Sequence, residues 1–286
     1  MDTSASQTVY YLARPEGRVA YTVEGSGPLV VAVPGMGDLR SSYRELVPPL
    51  LAAGHRVAVM DLRGHGASDT SFHAHGDSAT GRDLLALIGE LGGPAAVLGN
   101  SMGAASAAWA AAENPRAIAG LVLYGPFLRE AQLSPSARAA IRLLYRLALA
   151  RPWGAAFWGS FYRSLNRGIR APWLEQHIAA IRSNLAEPGR LRSFRDLAIL
   201  LDHSVVEERL GEVTAPMLAF VGALDPDYPN PAAESEWIAS KGWQSRLVEN
   251  AGHYPHTQRP EATVPGTLEF LAGLRDDTAG EWATRG

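Results

Sequence analysis

The sequence predicts an α/β fold, in which a mostly parallel central sheet with an N-terminal antiparallel hairpin carries helices on both faces, and a helical cap is inserted in the middle of the chain. Three observations lead to this prediction. Short, continuous apolar runs alternate with helical segments, as expected for parallel strands that are buried on both faces. Two Val- and Tyr-rich segments precede this alternation, and no strand-like run occurs between residues 127 and 209.

The N-terminal segments 7–13 and 18–24 are separated by Arg14-Pro15-Glu16-Gly17, so they predict an antiparallel hairpin. The apolar runs that predict the remaining strands lie at 29–33, 56–60, 94–98, 119–124, 216–221 and 244–249. Helices are expected at 41–53, 83–91, 104–112 and 260–274. The tail from residue 275 onward is polar and is expected to fray.

The alternation stops after Gly125-Pro126 and resumes near residue 210, which divides the chain into a core (1–126 and 210–286) and a cap (127–209). The cap is rich in aromatic residues, which form either its own core or an apolar pocket wall. On the second interpretation Trp158 and Tyr162 are candidate substrate-binding residues, together with Tyr124 at the end of a predicted strand.

Composition excludes several classes of protein. The chain has 286 residues, is 47% hydrophobic and carries a formal net charge of −3, so nucleic acid is not expected as a partner. Cysteine is absent, which excludes disulfides, a thiol nucleophile and a thiolate metal site. No apolar stretch approaches the roughly 20 residues of a membrane span, so stable membrane insertion is not expected. The polar N-terminus resembles no signal peptide, and cytoplasmic location is the default.

The basic residues of the cap include an evenly spaced set, Arg138, Arg142 and Arg146. This spacing places them on one face of a helix, where they form either a solvated stripe or a surface that contacts a membrane. We favour the solvated stripe.

Gly99-Asn100-Ser101-Met102-Gly103 has the pattern G-x-S-x-G, preceded by a predicted strand and followed by an Ala-rich predicted helix. This context is that of a nucleophile elbow, a sharp turn that presents a serine at the carboxyl edge of a sheet. Glycines two positions to either side of the serine are needed because larger side chains would clash in so tight a turn.

A serine hydroxyl is a weak nucleophile unless a base accepts its proton and a third group orients the base. His253 follows the last predicted strand, and Asp225 follows the preceding strand, so both lie at the same sheet edge as Ser101. Asp227 is an alternative acid, and His256 is an alternative base.

The remaining polar residues of interest have simpler expected roles. His65 is expected to brace the loop that begins at Asp61. Asp38 either contacts substrate or caps the helix expected at 41–53, and we favour the cap. His73 and His75 have no carboxylate at metal-ligand spacing, so no metal is predicted.

Five segments together resemble the α/β-hydrolase superfamily, in order and in spacing: Pro34-Gly35-Met36-Gly37, Asp61-Leu62-Arg63-Gly64-His65-Gly66-Ala67-Ser68, residues 99–103, Gly222-Ala223-Leu224-Asp225-Pro226, and Gly252-His253. The resemblance covers nearly all of the chain outside the tails and the cap. It implies an α/β-hydrolase fold with a nucleophile, a general base and an orienting acid in the order Ser101, Asp225, His253 along the chain, with His253 as the base.

By the same resemblance, the backbone N–H groups of Met36 and Met102 form the oxyanion hole. Many members of the superfamily begin the first of these loops with His-Gly, whereas this chain has Pro34-Gly35. The donor is a main-chain N–H, so the hole does not depend on the histidine. Any hydrogen bond from that histidine that braces the loop is lost.

A serine nucleophile favours acyl substrates, such as esters, lactones, thioesters and amides, over the alkyl-ester chemistry of superfamily members that have an aspartate at the elbow. We expect a small-molecule carboxylic ester with an apolar portion as substrate, no cofactor, and a monomer or homodimer. A cofactor-free perhydrolase, a carbon–carbon bond hydrolase, a biosynthetic acyltransferase or cyclase, and a non-catalytic ligand receptor or scaffold are alternatives that use the same residues.

Overall fold

The structure is a computed structural model that describes residues 8–130 and 134–283, with side chains up to residue 274. Its described strands form one eight-stranded sheet. The strands are β1 (Tyr10–Arg14), β2 (Gly17–Glu24), β3 (Leu29–Val33), β4 (Arg56–Met60), β5 (Ala95–Asn100), β6 (Ile118–Tyr124), β7 (Met217–Gly222) and β8 (Gln244–Val248).

The strand order across the sheet is β1-β2-β4-β3-β5-β6-β7-β8. The hairpin β1–β2 is antiparallel, and β2 pairs antiparallel with β4; from β4 to β8 every neighbouring pair is parallel. The central strands β3 and β5 are buried at every residue, which explains their unbroken apolar sequences. The predicted α/β fold, a mostly parallel sheet with an N-terminal antiparallel hairpin, is confirmed.

Helices cover both faces of the sheet. They are α1 (Val47–Ala52), α2 (Asp77–Glu90), α3 (Met102–Glu113), α4 (Pro135–Ala148), α5 (Gly154–Leu165), α6 (Leu174–Ala186), α7 (Arg190–Leu200), α8 (Ser204–Glu207), α9 (Pro231–Ser240), α10 (Pro255–Gln258) and α11 (Pro260–Ala283). One apolar core lies between the sheet and α2, α3 and α9, and a second lies between the sheet and α11. The Ala-rich sequence of α3 lets this helix pack closely, since all but its last residue are buried.

The five helices α4–α8 lie between β6 and β7 in the chain. They contribute a third apolar core, which includes Trp158, Tyr162 and Phe194 and is closed from the sheet side by Tyr254. Helix α4 differs from its neighbours because none of its residues is buried, and Leu143, Leu144 and Leu147 are all more than half exposed. The division of the chain at residues 127 and 209 stays a prediction.

Three predicted helices have clearly different bounds in the structure. Helix α11 runs from Pro260 to Ala283, so it continues past the predicted end at residue 274 into the tail that was expected to fray. The single helix expected at 41–53 is interrupted: a 3-10 turn spans Arg40–Tyr43, and α1 begins only at Val47. The interruption follows from Pro48 and Pro49, which have no backbone N–H to continue a helix and therefore occupy its first turn. Helix α2 begins at Asp77, six residues before the predicted start at residue 83.

Among the residues that the structure describes, no helix combines the length and the apolar character that crossing a membrane requires.

Candidate active site

Ser101 occupies a sharp turn between β5, which ends at Asn100, and α3, which begins at Met102. Its backbone has φ 55° and ψ −122°, a conformation that residues other than glycine rarely adopt. The Ser101 N–H donates to the carbonyl of Tyr124, at the end of β6, over 3.0 Å, which holds the turn against the next strand. Such strain persists only where the surrounding structure fixes it, and it is typical of functional sites.

The two glycines of the elbow are required by close backbone approaches. A β-carbon on Gly99 would lie 2.6 Å from the Cα of Ala104, and one on Gly103 would lie 2.3 Å from the carbonyl oxygen of Val33. Both distances are shorter than any tolerated contact, and both neighbours are backbone atoms that cannot move aside. Larger side chains at these two positions would therefore clash with the backbone, as the G-x-S-x-G pattern predicts.

The loop after β3 passes directly beside Ser101, since a β-carbon on Gly35 would lie 3.0 Å from the Cβ of Ser101. Met36 follows in this loop, and Met102 is the first residue of α3, so its N–H has no carbonyl one turn earlier in that helix. The two residues predicted to form the oxyanion hole thus flank the serine. Their hydrogen bonds to a reacting carbonyl stay a prediction.

His65 braces the loop that lacks the usual histidine. Its Nε2 accepts a hydrogen bond from the Gly37 N–H at 3.1 Å, and its Nδ1 lies 2.9 Å from the carbonyl oxygen of Arg63. A ring that accepts at Nε2 and donates at Nδ1 is neutral. Burial agrees with this, since it lowers the pKa of His65 to about 4. His65 was predicted to brace its own loop, and it also supports the neighbouring one.

Trp158 supports the same loop from the cap. Its indole Nε1 donates to the carbonyl of Gly37 at 2.9 Å, and its ring lies so close that a β-carbon on Gly37 would come within 2.3 Å of it. Gly37 also has φ +73°, a second reason for glycine at this position. Trp158 is 2% exposed.

Asp38 is buried at the junction of loop and cap, where it accepts hydrogen bonds from two cap residues. His177 Nε2 lies 2.6 Å from Asp38 Oδ1, and the Tyr162 hydroxyl donates to Asp38 Oδ2 at 3.1 Å. The prediction that Asp38 caps a helix is wrong, because the 3-10 turn that follows has no side-chain cap. A buried carboxylate needs partners, and the cap supplies them.

Tyr124 requires a correction. It was predicted to contact substrate, but it is fully buried in the core beneath the sheet edge, stacked on Phe220 with its hydroxyl 2.8 Å from Thr267 Oγ1. Its place at the end of β6 was predicted correctly, but its side chain lies on the α11 side of the sheet. For Trp158 and Tyr162, contact with substrate stays a prediction, and the contacts observed are those with the loop.

Asp225 and His253 form a buried pair at the sheet edge that carries Ser101. Nδ1 of His253 lies 2.8 Å from Oδ2 of Asp225, and both side chains are almost fully buried. Burial opposes the charged imidazolium, but the negative charge of Asp225 and its hydrogen bond outweigh burial and raise the pKa of His253 to about 9. With Nδ1 engaged by the carboxylate, Nε2 is the ring nitrogen left to exchange a proton.

The two alternatives for this pair occupy different positions. Asp227 Oδ2 lies 3.6 Å from His253 Nδ1, farther than Asp225, although it adds to the raised pKa of His253. His256 is buried on the other side of Tyr254, among the rings of Tyr43 and Tyr124. Neither of its ring nitrogens has a hydrogen-bond partner among the described residues, and burial lowers the pKa of His256 to about 3. The geometry therefore favours Asp225 and His253.

Two amide side chains that sequence analysis missed hold the His253 loop. Asn100 Nδ2 donates to the carbonyls of Tyr124 and His253, at 2.8 and 3.2 Å. Gln258 Oε1 accepts from the Gly252 N–H at 2.9 Å. The sequence did contain one indication of the role of Asn100: it directly precedes Ser101, and side chains at a nucleophile elbow lie within reach of the adjacent loops.

Ligand atoms of Asp225, Asp227 and His253 all lie within 4.8 Å of one another, so these residues could geometrically hold a cation. The short contact between His253 and Asp225 already satisfies one nitrogen and one oxygen of the group. The prediction that no metal takes part stays a prediction.

A cavity opens beside the loop at residues 34–37, here called the oxyanion loop after its predicted role. Met36 lines this cavity together with Tyr145 and His203, which sequence analysis did not identify. The ring of Phe127 lies between two imidazoles, 5.3 Å from that of His203 and 5.4 Å from that of His253. His203 Nδ1 in turn lies 2.7 Å from Asp77 Oδ2, so a second His–Asp pair borders the site. No sequence motif marks this pair, because its members come from α2 and from the link between α7 and α8.

The chain is similar to several hydrolases. It is 28% identical to epoxide hydrolase A of Mycobacterium tuberculosis over 90% of this chain and 94% of that protein. It is also 28% identical to the 2-hydroxy-6-oxononadienedioate/2-hydroxy-6-oxononatrienedioate hydrolase of Cupriavidus pinatubonensis, over 81% of each. Among solved structures, an esterase from Thermogutta terrifontis superposes with a TM-score of 0.74 and 25% identity, covering 93% of this chain and 99% of that one.

The family model that matches describes the alpha/beta hydrolase family and covers residues 30–265, from β3 to α11. This span includes the elbow, the oxyanion loop and the Asp225–His253 pair. The chain is a hydrolase and belongs to the alpha/beta hydrolase family.

Proposed function

We propose that this hydrolase cleaves a carboxylic ester, or a related acyl substrate, through a covalent acyl-enzyme on Ser101. The proposal rests on one observation: the serine at the strained turn lies beside the oxyanion loop, on the sheet edge where Asp225 holds His253 at 2.8 Å. These are the parts that acyl transfer by a serine requires.

In the first half of the reaction, Ser101 Oγ attacks the ester carbonyl carbon, and its proton passes to Nε2 of His253. Asp225 keeps Nδ1 protonated and stabilises the imidazolium that forms. The oxyanion of the tetrahedral intermediate accepts hydrogen bonds from the backbone N–H groups of Met36 and Met102. When the intermediate collapses, the carbon–oxygen bond to the alcohol breaks, and His253 returns the proton to the leaving oxygen.

In the second half, His253 takes a proton from water, which attacks the acyl carbon. The same N–H groups bind the second oxyanion, and collapse releases the carboxylic acid while His253 reprotonates Ser101. The support of Gly37 by His65 and Trp158 favours this role, because an oxyanion hole acts only if its donors are fixed before charge develops.

The residue at the elbow distinguishes this reaction from epoxide opening. Epoxide hydrolases of the superfamily that this sequence resembles form an alkyl ester on an aspartate, whereas a serine would form an ether, which water does not cleave under these conditions. Position 101 is a serine. The similarity to epoxide hydrolase A therefore supports the shared fold, and the nucleophile supports an acyl substrate.

The test is a panel of p-nitrophenyl esters with acyl chains of two to twelve carbons, combined with labelling by an alkyl fluorophosphonate. We expect hydrolysis of at least part of the panel, a mass increase on the Ser101 peptide, and loss of both in Ser101→Ala. Full activity in Ser101→Ala would refute the proposal, as would failure of the wild-type protein to hydrolyse any ester or to react with the probe.

A further inference from the structure

The cavity beside the oxyanion loop has a volume of about 130 Å³ and is walled by α4, by the end of α7 and by the loop itself. Its apolar walls come from Ile141, Ile199 and Leu201. Its polar walls come from Arg138, Arg142 and His203, with Glu130 as the acidic member. Of the three arginines that we expected to form a solvated stripe, Arg138 and Arg142 line this cavity and Arg146 does not.

The cavity adjoins the catalytic groups. Met36, the predicted oxyanion donor, is one of its walls, and Tyr145 is another. Burial raises the pKa of Tyr145, and the negative charge of Asp227 raises it further. The ring of Phe127 contacts the imidazoles of both His203 and His253. Met36 lines the cavity and follows Gly35, which lies beside Ser101, so a substrate held between Ser101 and Met36 would have one end directed towards the cavity.

The charges of the cavity do not cancel. Arg138 pairs with Glu130 at 3.2 Å, and the other carboxylate oxygen of Glu130 accepts the backbone N–H of His203 at 2.7 Å. Glu130 is therefore already engaged. Over the part of the chain that the structure describes, Arg142 has no carboxylate within ion-pairing distance. Among the described residues, the guanidinium of Arg142 is thus left without a counter-charge at the exposed rim of the cavity, where it can pair with an anionic group that enters.

His203 adds a directed hydrogen-bond donor. Its Nδ1 is occupied by Asp77 at 2.7 Å, and Asp77 is 2% exposed. The side chain of His203 is 12% exposed and lines the cavity, so Nε2 is the nitrogen available to a ligand. Because Asp77 holds the Nδ1 proton, Nε2 carries a proton only when the ring is charged. Burial opposes that charge, but the negative charge of Asp77 and its hydrogen bond outweigh burial and raise the pKa of His203. The contacts of this pair resemble those of Asp225 and His253, but the strained elbow is at Ser101, so the role that fits His203 is binding.

We propose that this cavity binds an anionic group of the substrate, through the guanidinium of Arg142 and through Nε2–H of the protonated His203 ring. The preferred substrates are then esters that carry a carboxylate a few methylene groups from the scissile carbonyl, with the methylene groups against Ile141, Ile199 and Leu201. This inference rests on the proposed function, because it assumes that the carbonyl lies between Ser101 and Met36.

The experiment compares a neutral ester with an acidic ester of matched length, p-nitrophenyl valerate and mono-p-nitrophenyl glutarate, in wild type, Arg142→Gln and Arg146→Gln. Arg146 is the matched control, because it lies one turn farther along α4 and is exposed like Arg142, but does not line the cavity. We expect wild type to prefer the acidic ester. Arg142→Gln should raise KM for the acidic ester about tenfold or more, and far more than for the neutral ester, whereas Arg146→Gln should leave the preference intact.

Acetoxyacetate is an ester whose carboxylate lies on the alcohol side of the scissile bond. Comparing its hydrolysis with that of mono-p-nitrophenyl glutarate tells which end of the substrate enters the cavity. A binding measurement that needs no catalysis gives a second readout. Ser101→Ala should bind glutarate in calorimetry, and the added Arg142→Gln or His203→Gln substitution should weaken that binding about tenfold.

Equal kcat/KM of wild type on acidic and neutral esters, for both positions of the carboxylate, would overturn the inference. So would an equal effect of Arg142→Gln on both substrate types, or glutarate binding that both added substitutions leave unchanged. Each of these results is compatible with a serine esterase, whereas failure of the proposed function is recognised separately, by activity that survives in Ser101→Ala.

Discussion

The backbone N–H of Asp227 donates a hydrogen bond to Oδ1 of Asp225 at 3.0 Å, which leaves Oδ2 of Asp225 to face His253 at 2.8 Å. The two aspartates are therefore not equivalent. The first is buried and oriented by the backbone of the second, and the second is partly exposed and lies 3.6 Å from the imidazole. Sequence alone left Asp225 and Asp227 as alternative partners of His253. Because their contacts with His253 differ, we expect different losses of activity when each is replaced by asparagine.

Asp225→Asn should lose about 10⁴-fold in kcat, because an amide no longer holds the productive tautomer of His253 or stabilises its charge. Asp227→Asn should lose less than tenfold, because Asp225 keeps its contact with His253. The measurement is kcat on a p-nitrophenyl ester for both variants, with circular dichroism to verify folding. If the loss is larger in Asp227→Asn, the assignment of the acid is wrong.

The pH dependence of activity follows from the same cluster. Because the charges of Asp225 and Asp227 outweigh burial and raise the pKa of His253 to about 9, the imidazole is largely protonated at neutral pH and becomes a base as the pH rises. We therefore expect kcat/KM on a neutral ester to increase with pH from 6 towards about 9.

The Asp227→Asn variant also serves as the control for this profile. Removing one of the two negative charges lowers the pKa of His253, so the rising limb should move to lower pH, while the plateau stays similar. The measurement is kcat/KM at half-unit steps, corrected for spontaneous ester hydrolysis. A wild-type profile that is flat from pH 6 upward contradicts the expectation.

The sheet and the elbow could be predicted because local sequence determines them. A strand buried on both faces must be apolar throughout, and the predicted bounds at 29–33 and 56–60 match β3 and β4 residue for residue. The elbow could be predicted because Gly99 and Gly103 are required by backbone contacts within the turn itself. In both cases the constraint involves residues close in the chain or a pattern that only one environment permits.

The contacts between cap and core could not be predicted, because they join residues that are far apart in sequence. Asp38 was expected to cap a helix, and its true partners, Tyr162 and His177, lie 124 and 139 residues away. The partner of His203 is Asp77, 126 residues away. Each of these residue types has common local roles, so the sequence alone favours the local interpretation. Only tertiary structure shows the pairing.

The support of the oxyanion loop by the cap can be tested with two tryptophans. Trp158→Phe removes the hydrogen bond from Nε1 to the carbonyl of Gly37 while keeping an aromatic ring in place. We expect kcat to fall about tenfold with little change in KM, since a loosened loop weakens binding of the oxyanion more than binding of the ester. The loss should be smaller than the ~10²–10³ that follows removal of an oxyanion donor itself.

Trp153→Phe is the matched control. Its indole also donates to a carbonyl, that of Leu147, but Trp153 is 54% exposed at the start of α5. This substitution should change kcat by less than twofold. Equal effects of the two substitutions on kcat, or an effect of Trp158→Phe confined to KM, would argue against support of the loop by the cap.

His256 should make the fold sensitive to acid. It is fully buried without a hydrogen-bond partner among the described residues, and burial lowers its pKa to about 3. The unfolded chain binds a proton near pH 6.5, whereas the folded protein does not until about pH 3. The free energy of unfolding therefore falls as the pH drops below 6.5, by about 2–3 kcal/mol between pH 6.5 and 4.5 from this group alone.

His256→Phe isolates this contribution, because the phenyl ring fits among the rings of Tyr43, Tyr124 and Tyr254 and does not titrate. Urea unfolding followed by tryptophan fluorescence between pH 7.5 and 4.5 should show a shallower decline than in wild type. His65, with a pKa lowered to about 4, contributes a decline of the same sign in both proteins, so the difference between the two curves reports His256. His73→Gln, at an exposed histidine, should follow the wild-type curve. Parallel curves for wild type and His256→Phe would mean that His256 is not kept neutral in the folded protein, because a buried neutral imidazole must lose stability wherever the unfolded state takes up its proton.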